Sequence, residues 1–254
     1  MQRFNLSSRL IIKLKNMKKL ILSISLILAL ANMSFASQPL SKFIKQEREV
    51  KNYNGVVAGG PIHVIITLGS TEGIRFEGDA EAIATLITEV KESMLIIRPK
   101  NSWTSWARVY ENKKITAYVS AKTIRSLTMS GNGSITVNGK IKEAGLAASV
   151  SGSGSISAGA EVDSFTGVIS GSGNLNFSGT ANDASIVVSG SGSFTKKGFS
   201  VANLSSVISG SGSVNVNVDH NIEAVISGSG SINYGGNATI VEKNITGSGR
   251  VRKI

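Results

Sequence analysis

The sequence contains no cysteine, two histidines and three prolines among its 254 residues. Without cysteine it can form no disulfide, thiol nucleophile or cysteine-ligated metal site. His63 and His220 have no second histidine at metal-ligand spacing, and no serine stands in the G-x-S-x-G context of a nucleophile elbow. We therefore expect no metal, no cofactor and no catalytic residue, and we do not expect Asp219 and His220 to form a triad with a serine.

Charge gives little support for a nucleic-acid partner. The chain has 27 basic and 16 acidic residues, a net charge of +11. Six of the basic residues and none of the acidic ones lie in residues 1–36, so the remainder has 21 basic and 16 acidic residues, or +5. These basic residues form no dense stripe interleaved with aromatic residues, so we predict no binding to nucleic acid.

Residues 1–36 have the organisation of a secretory signal peptide. Basic residues precede a short apolar run at 20–31, and Ser34-Phe35-Ala36 resembles a cleavage site with small residues at its outer positions. The run is short for a membrane span, so we expect none in the mature chain. Cleavage after Ala36 predicts an exported protein, either periplasmic or secreted to the cell surface. Met17-Lys18-Lys19 also resembles a translation start, so Met1 and Met17 both stay open. Residues 37–48 are interpreted as a polar tether.

A short glycine-serine motif occurs seven times in the second half of the chain. The copies begin at Ser130, Ser151, Ser170, Ser189, Ser209, Ser227 and Thr246. The steps between them are 21, 19, 19, 20, 18 and 19 residues. A repeat of this length indicates a solenoid in which each repeat forms one coil.

Apolar residues at fixed positions argue against a flexible glycine-serine linker. The residue before each motif is apolar in every copy: Met129, Val150, Ile169, Val188, Ile208, Ile226 and Ile245. So is the residue five places after the start of each motif: Ile135, Ile156, Leu175, Phe194, Val214, Ile232 and Val251. A third apolar column lies about five residues upstream: Leu146, Phe165, Ala184, Leu204, Ile222 and Val241. These columns predict a continuous core.

The period and the alternation of apolar and polar residues predict an all-β fold, a single-chain parallel β-helix with coils of about 19 residues. The motif glycines allow the sharp turns. We interpret residues 121–254 as the regular solenoid and residues 49–120 as irregular early coils that cap it. Within the cap, residues 79–87 are predicted to form a helix with Asp79 as N-cap.

The order of these features resembles a known family, the auto-transporter adhesin head (GIN-type) domains of bacterial envelope proteins. The resemblance runs from about residue 49 to residue 254. It lies in the order of these segments: Tyr53-Asn54-Gly55-Val56, Ile62-His63-Val64-Ile65-Ile66, Gly78-Asp79, Met94-Leu95-Ile96-Ile97 and Leu127-Thr128-Met129 with the motif that follows. The resemblance implies a β-helical exported domain with an adhesive role and no established chemistry.

Three classes of function remain open on the sequence. The first is a non-enzymatic, adhesin-like protein that binds an envelope glycan or a surface protein, with homo-oligomerisation through the solenoid edges as a further option. The second is an enzyme acting on polysaccharides, for which Asp163 and Asp183, about one coil apart, are a candidate carboxylate pair. Other candidate pairs are Asp79 with Glu81 and Glu89 with Glu92. The third is a purely structural spacer. We favour the first class.

Aromatic residues suggest one candidate contact region. Trp103, Trp106 and Tyr110 lie in a polar loop and include both tryptophans of the protein. Aromatic rings on an exposed loop can stack on sugars or anchor a protein partner. The same rings could instead fold back and cap the core, and the sequence leaves both interpretations open.

Overall fold

The computed structural model describes residues 43–100, 110 and 113–254, apart from the side chains of residues 196 and 197. Strands account for 76% of the described residues and helix for 3%. The N-terminal part contains β1 (Phe43–Arg48), β2 (Gly55–Gly59), β3 (His63–Leu68), β4 (Gly73–Asp79), α1 (Ala80–Ala84), β5 (Leu86–Lys91), β6 (Met94–Pro99) and β7 (Ile115–Ala121). The repeats contain β8 (Ser126–Gly131), β9 (Ser134–Gly152), β10 (Ser155–Gly171), β11 (Asn174–Gly190), β12 (Ser193–Gly210), β13 (Ser213–Gly228), β14 (Ser231–Gly235), β15 (Thr239–Gly247) and β16 (Arg250–Lys253).

The repeats form a parallel β-solenoid, as the motif spacing predicts. Each of the strands β10 to β13 makes most of one coil and pairs in parallel with the strand of the next coil. Coils of about 19 residues stack into about seven turns, so the predicted fold class is confirmed. The glycine-serine motif makes the turn between coils, where Ser172 N–H donates to the Gly152 carbonyl oxygen at 2.9 Å. The equivalent bond joins Ser191 N–H to Gly171.

The apolar columns point into the coils and form the core. The residues before the first six motifs are at most 1% exposed, and their counterparts after these motifs are fully buried. In the last coil Ile245 and Val251 are half-buried. Val241 departs from the prediction, because it is 57% exposed and Ile240 pairs with Ile222 in its place. The cause is a register shift between Ile222 and Glu223, which leaves Val241 as an extra residue in β15.

Four phenylalanines fill the centre of the regular coils. Phe165, Phe177, Phe194 and Phe199 are at most 1% exposed, and their ring centroids lie 4.7 to 6.2 Å apart. Most pairs are tilted or edge-to-face, the arrangements that aromatic rings prefer. This cluster anchors the strands on which the candidate site described below is built.

The first coils are stacked out of chain order. Strand β2 lies between β6 and β8, and β3 lies between β7 and β9, with every one of these pairings parallel. The coil formed by β2 and β3 is therefore enclosed by two coils that come later in the sequence. This arrangement requires contacts distant in sequence, which a repeat pattern does not indicate.

Antiparallel strands cover the N-terminal end of the stack. Strand β5 pairs with β6, β4 pairs with β7, and β1 pairs with β4. Residues 43–48, which the sequence assigned to a polar tether, instead form β1. Ile44 packs against the core, and the Arg48 guanidinium donates to the Leu86 carbonyl at 2.8 Å and lies over the Phe76 ring at 4.8 Å. A strand rich in charge is therefore held by its pairing with β4, by the packing of Ile44 and by the contacts of Arg48.

Helix α1 begins where the sequence predicts and ends earlier. Asp79 is its N-cap and accepts a hydrogen bond from Ala82 N–H at 2.9 Å. Burial opposes the charge on Asp79, but the bond from Ala82 and the Lys113 ammonium, 3.1 Å away, outweigh it and hold the pKa of Asp79 below its usual range. The helix stops after Ala84 because β5 begins at Leu86 and pairs with β6.

Candidate functional site

Of the three aromatic residues suggested by the sequence, Tyr110 is among the described residues, and it is buried. Tyr110 is 5% exposed, and its hydroxyl lies 2.6 Å from Thr85 Oγ1. Burial raises the pKa of Tyr110, and the bond to Thr85 offsets part of that effect. Trp103 and Trp106 lie outside the described residues. The position of Tyr110 fits the core-capping interpretation.

The two histidines lie on different strands. His63 is exposed on β3, with Nδ1 2.9 Å from Ser134 Oγ. His220 is exposed in β13, just before Asn221. Within the described residues, no group of three or more histidine, aspartate or glutamate side chains is placed to hold a metal ion.

The candidate carboxylate pair Asp163 and Asp183 is out of register by one residue. Asp183 pairs with Ser164, while Asp163 accepts a hydrogen bond from the Asn182 side chain at 3.4 Å. Asp183 accepts one from Asn203 Nδ2 at 2.9 Å. Each carboxylate is therefore bonded to an amide of a neighbouring coil.

The stacking creates a groove of about 520 Å³ across the regular coils. Exposed polar side chains from successive coils line it, with buried apolar residues between them. The lining residues of this lateral groove are Ser164, Phe165, Thr166, Asp183, Ala184, Ser185, Asn203, Leu204, Ser205, Asn221, Glu223 and Val241. Because the lining residues belong to successive coils, which stack about 4.8 Å apart, the groove runs along the axis of the stack.

One row of the groove is a chain of side-chain hydrogen bonds. Asn221 Nδ2 donates to Asn203 Oδ1 at 3.1 Å, and Asn203 Nδ2 donates to Asp183 Oδ1 at 2.9 Å. These three residues occupy the same register position in successive coils. An amide has two donor hydrogens and an acceptor oxygen, so the row keeps free bonding capacity toward solvent.

A second row, two residues further along each strand, consists of Thr166, Ser185, Ser205 and Glu223. All four are exposed.

A third row lies two residues further along each strand and is apolar. This valine stripe consists of Val168, Val187, Val207 and Val225. Val207 is 39% exposed and Val225 38%. Beyond the stripe lie the first serines of the motifs, all exposed: Ser170, Ser189, Ser209 and Ser227.

The register shift in β15 brings Val241 to the end of the groove. Bulged residues are often re-aimed in this way next to functional sites. Its exposed side chain lines the groove beside Glu223 and Asn221. The residue that departs from the repeat therefore contributes an apolar end to a polar groove.

The strand segments that follow the motifs present rows of serine and asparagine that bond mainly to one another. Ser193 Oγ donates to Asn174 Oδ1 at 2.5 Å, and Asn233 Nδ2 donates to Asn215 Oδ1 at 3.0 Å. These side chains are half-buried. Because these side chains bond to their counterparts in the neighbouring coils, they help to hold the stack together.

The chain is similar to known proteins both in its sequence and in its fold. Residues 52–238 match the family described as "Putative auto-transporter adhesin, head GIN domain". The chain belongs to this family. The resemblance seen in the sequence is therefore confirmed over most of the predicted range.

Solved structures share the fold of this GIN domain. One is described as a putative adhesin from Bacteroides fragilis, with a TM-score of 0.76 and 22% identity, covering 86% of this chain and 100% of that one. Another is described as a putative lipid binding protein from Parabacteroides distasonis, with a TM-score of 0.66 and 21% identity, covering 85% and 98%. A putative adhesin from Parabacteroides merdae has a TM-score of 0.62 and 21% identity, covering 85% and 97%. At these identities the likeness concerns the fold.

No protein of curated description is similar enough in sequence to be matched. Among the described residues, no helix is long and apolar enough to cross a membrane.

The lateral groove was not predicted from the sequence, although the sequence contains part of the pattern that forms it. Valine stands two residues before the motif in four successive copies, from Val168 to Val225. These valines point outward, so they do not belong to the apolar columns that predict the buried core.

Proposed function

We propose that this GIN domain protein is an exported, non-enzymatic binding module with an adhesin-like role, whose partner is a glycan or a protein of the cell envelope. The observation that carries the proposal is the lateral groove in a chain of this family. It offers hydroxyl, amide and carboxylate groups from successive coils on one exposed surface. A groove that is open along its length suits an extended partner better than an enclosed small molecule.

The arrangement of the acids supports binding rather than hydrolysis. Asp183 and Glu223 are the carboxylates that line the groove, and they stand two coils apart. That separation is roughly 10 Å along the stack, with a further offset of two residues along the strand. Glycoside hydrolysis uses carboxyl groups at most about 9.5 Å apart with one of them protonated. Asp183 also accepts a hydrogen bond from the Asn203 side chain within the groove.

A binding experiment tests the proposed function. Purified residues 37–254 should be retained on immobilised envelope material, a fraction containing both surface glycans and surface proteins. Neutral polysaccharides incubated with the protein should release no new reducing ends. Release of reducing ends that is lost in Asp183→Asn or Glu223→Gln would establish the enzyme alternative. Absence of retention on any envelope fraction would remove the binding proposal.

Export is tested separately. Expressed from its own leader in a bacterial host, the protein should be recovered outside the cytoplasm with Ser37 as its first residue. The reason is the basic leader, the short apolar run and Ala36 at a small-x-small site. Intact mass measurement distinguishes this outcome from retention of residues 20–31, which would instead indicate an uncleaved anchor. A substitution of Ala36 by a bulky residue, Ala36→Phe, should block processing at this site.

A further inference from the structure

We infer that the lateral groove and the valine stripe together bind a linear, uncharged polysaccharide whose chain lies along the axis of the stack. This inference rests on the proposed function and identifies the partner and the binding surface.

The surface is amphipathic across its width. The valine stripe is one side chain wide and lies between a row of groove hydroxyls, including Ser185 and Ser205, and the exposed serines Ser189 and Ser209 of the motifs. Neighbouring outward rows are about 6.7 Å apart, because they are separated by two residues of strand. A pyranose ring has an apolar face of C–H groups bordered by hydroxyls. Such a ring can cover a valine while its hydroxyls bond to the polar rows on both sides.

The surface repeats along its length. Each coil offers a similar set of groups about 4.8 Å from the last. A polymer of sugars can therefore repeat the same contacts on successive coils, and several weak contacts then add up. Apart from Val241, the exposed apolar side chains of this surface form a single row of valines. A stable protein interface needs a broad, well-packed core and more than about 1,000 Å² of buried surface. The narrow stripe thus favours a thin chain over a protein partner.

The charged side chains of the surface indicate which kind of polysaccharide it can bind. The three outward rows of β10 to β13 that form this surface contain no lysine or arginine, and they include Asp183 and Glu223. A polymer of uronic acids would meet these carboxylates without a basic partner on the surface. The Asn203 and Asn221 amides and the serine hydroxyls can both donate to and accept from sugar hydroxyls. The surface therefore favours an uncharged glycan.

Val241 defines one end of the surface. The register shift in β15 exposes this side chain at the groove, where the repeat would otherwise place it in the core. It gives the terminal sugar of a bound segment an apolar contact. The residues that line the groove, from Ser164 to Val241, belong to the coils of β10 to β13 and to β15.

Calorimetry with defined oligosaccharides tests the inference. The probes are cellohexaose, laminarihexaose and mannohexaose as uncharged glycans, and hexagalacturonate as an acidic one. We expect at least one uncharged hexasaccharide to bind and hexagalacturonate not to bind. The double variant Val187→Ser and Val207→Ser should weaken the binding by about tenfold or more, since it removes buried apolar contact at the centre of the stripe.

Val90→Ser is the matched control. Val90 is 36% exposed, close to the 39% of Val207, but lies on β5 in the N-terminal cap. It should bind like the wild type, and circular dichroism should show all variants to be folded. Equal affinity of the wild type and the valine-stripe variant would overturn the inference while leaving the proposed function in place. Retention on envelope protein without binding to any uncharged hexasaccharide would also overturn it, in favour of a protein partner. Retention on no envelope material would remove the proposed function itself.

Discussion

Replacing Gly171 with valine should lower the melting temperature by about 10 °C or more, while Ser172→Ala should change it by at most about 3 °C. Gly171 has φ of +111°, a region that β-branched residues avoid. A Cβ at this position would lie 2.7 Å from the Gly152 carbonyl oxygen of the preceding coil. The neighbouring coil cannot move away, because the Ser172 N–H is bonded to that same oxygen at 2.9 Å. The strain should therefore cost several kcal/mol.

The effect of Ser172→Ala should be small because its side chain is exposed at the turn. Losing a hydroxyl there removes at most one hydrogen bond, worth about 1 kcal/mol. A second comparison separates the steric clash from the backbone strain. Gly139 also has positive φ, +102°, but a Cβ there would meet Leu68 at an ordinary 3.8 Å. Gly171→Ala should be more destabilising than Gly139→Ala by differential scanning calorimetry. Equal melting temperatures would mean that the coils do not approach as closely at the motif as the structure indicates.

The sequence was sufficient to predict the regular coils because each coil repeats the same local problem. In each coil the chain buries one apolar residue, turns at a glycine and then buries another. The repeat period and the buried positions can therefore be predicted from the same pattern. Met129 and Ile135 already show both columns in the first copy, and both are fully buried. The helix start at Asp79 was also predictable, since N-capping is a local effect.

The N-terminal stacking order and the candidate site could not be predicted in the same way. The coil formed by β2 and β3 is enclosed by coils that follow it in the chain, and this depends on contacts between distant residues. The lateral groove depends on side-by-side register of outward residues, such as Asp183 with Asn203. Outward positions carry little periodic constraint because solvent accepts many side chains there. The shifted Val241 shows the same limit, because one extra residue moves a side chain from the core to the surface.

Replacing Ile208 with aspartate should abolish folding or lower the melting temperature by more than about 10 °C, whereas Ser211→Asp should leave it nearly unchanged. Ile208 is fully buried and pairs with Val188 below and Ile226 above. A carboxylate at this position would be buried without a partner, at a cost of several kcal/mol. Ser211 is exposed in the motif turn of the same coil, where aspartate is a common residue.

The pH dependence of the stability of Ile208→Asp should show that burial of the new carboxylate causes its destabilisation. In the folded variant, burial would raise the pKa of the new carboxyl group above its unfolded value. Its destabilisation should therefore be least at low pH, where the group is neutral in both states, and should grow as the pH rises toward 8. Ile208→Asn, a neutral polar substitution, should show no such extra loss relative to the wild type. If Ile208→Asp does not fold at any pH, Ile208→Ala still tests the site, with an expected loss of about 2 to 5 kcal/mol. An alanine variant as stable as the wild type would contradict a continuous core through the repeats, because the cavity left at Ile208 lies in the middle of that core.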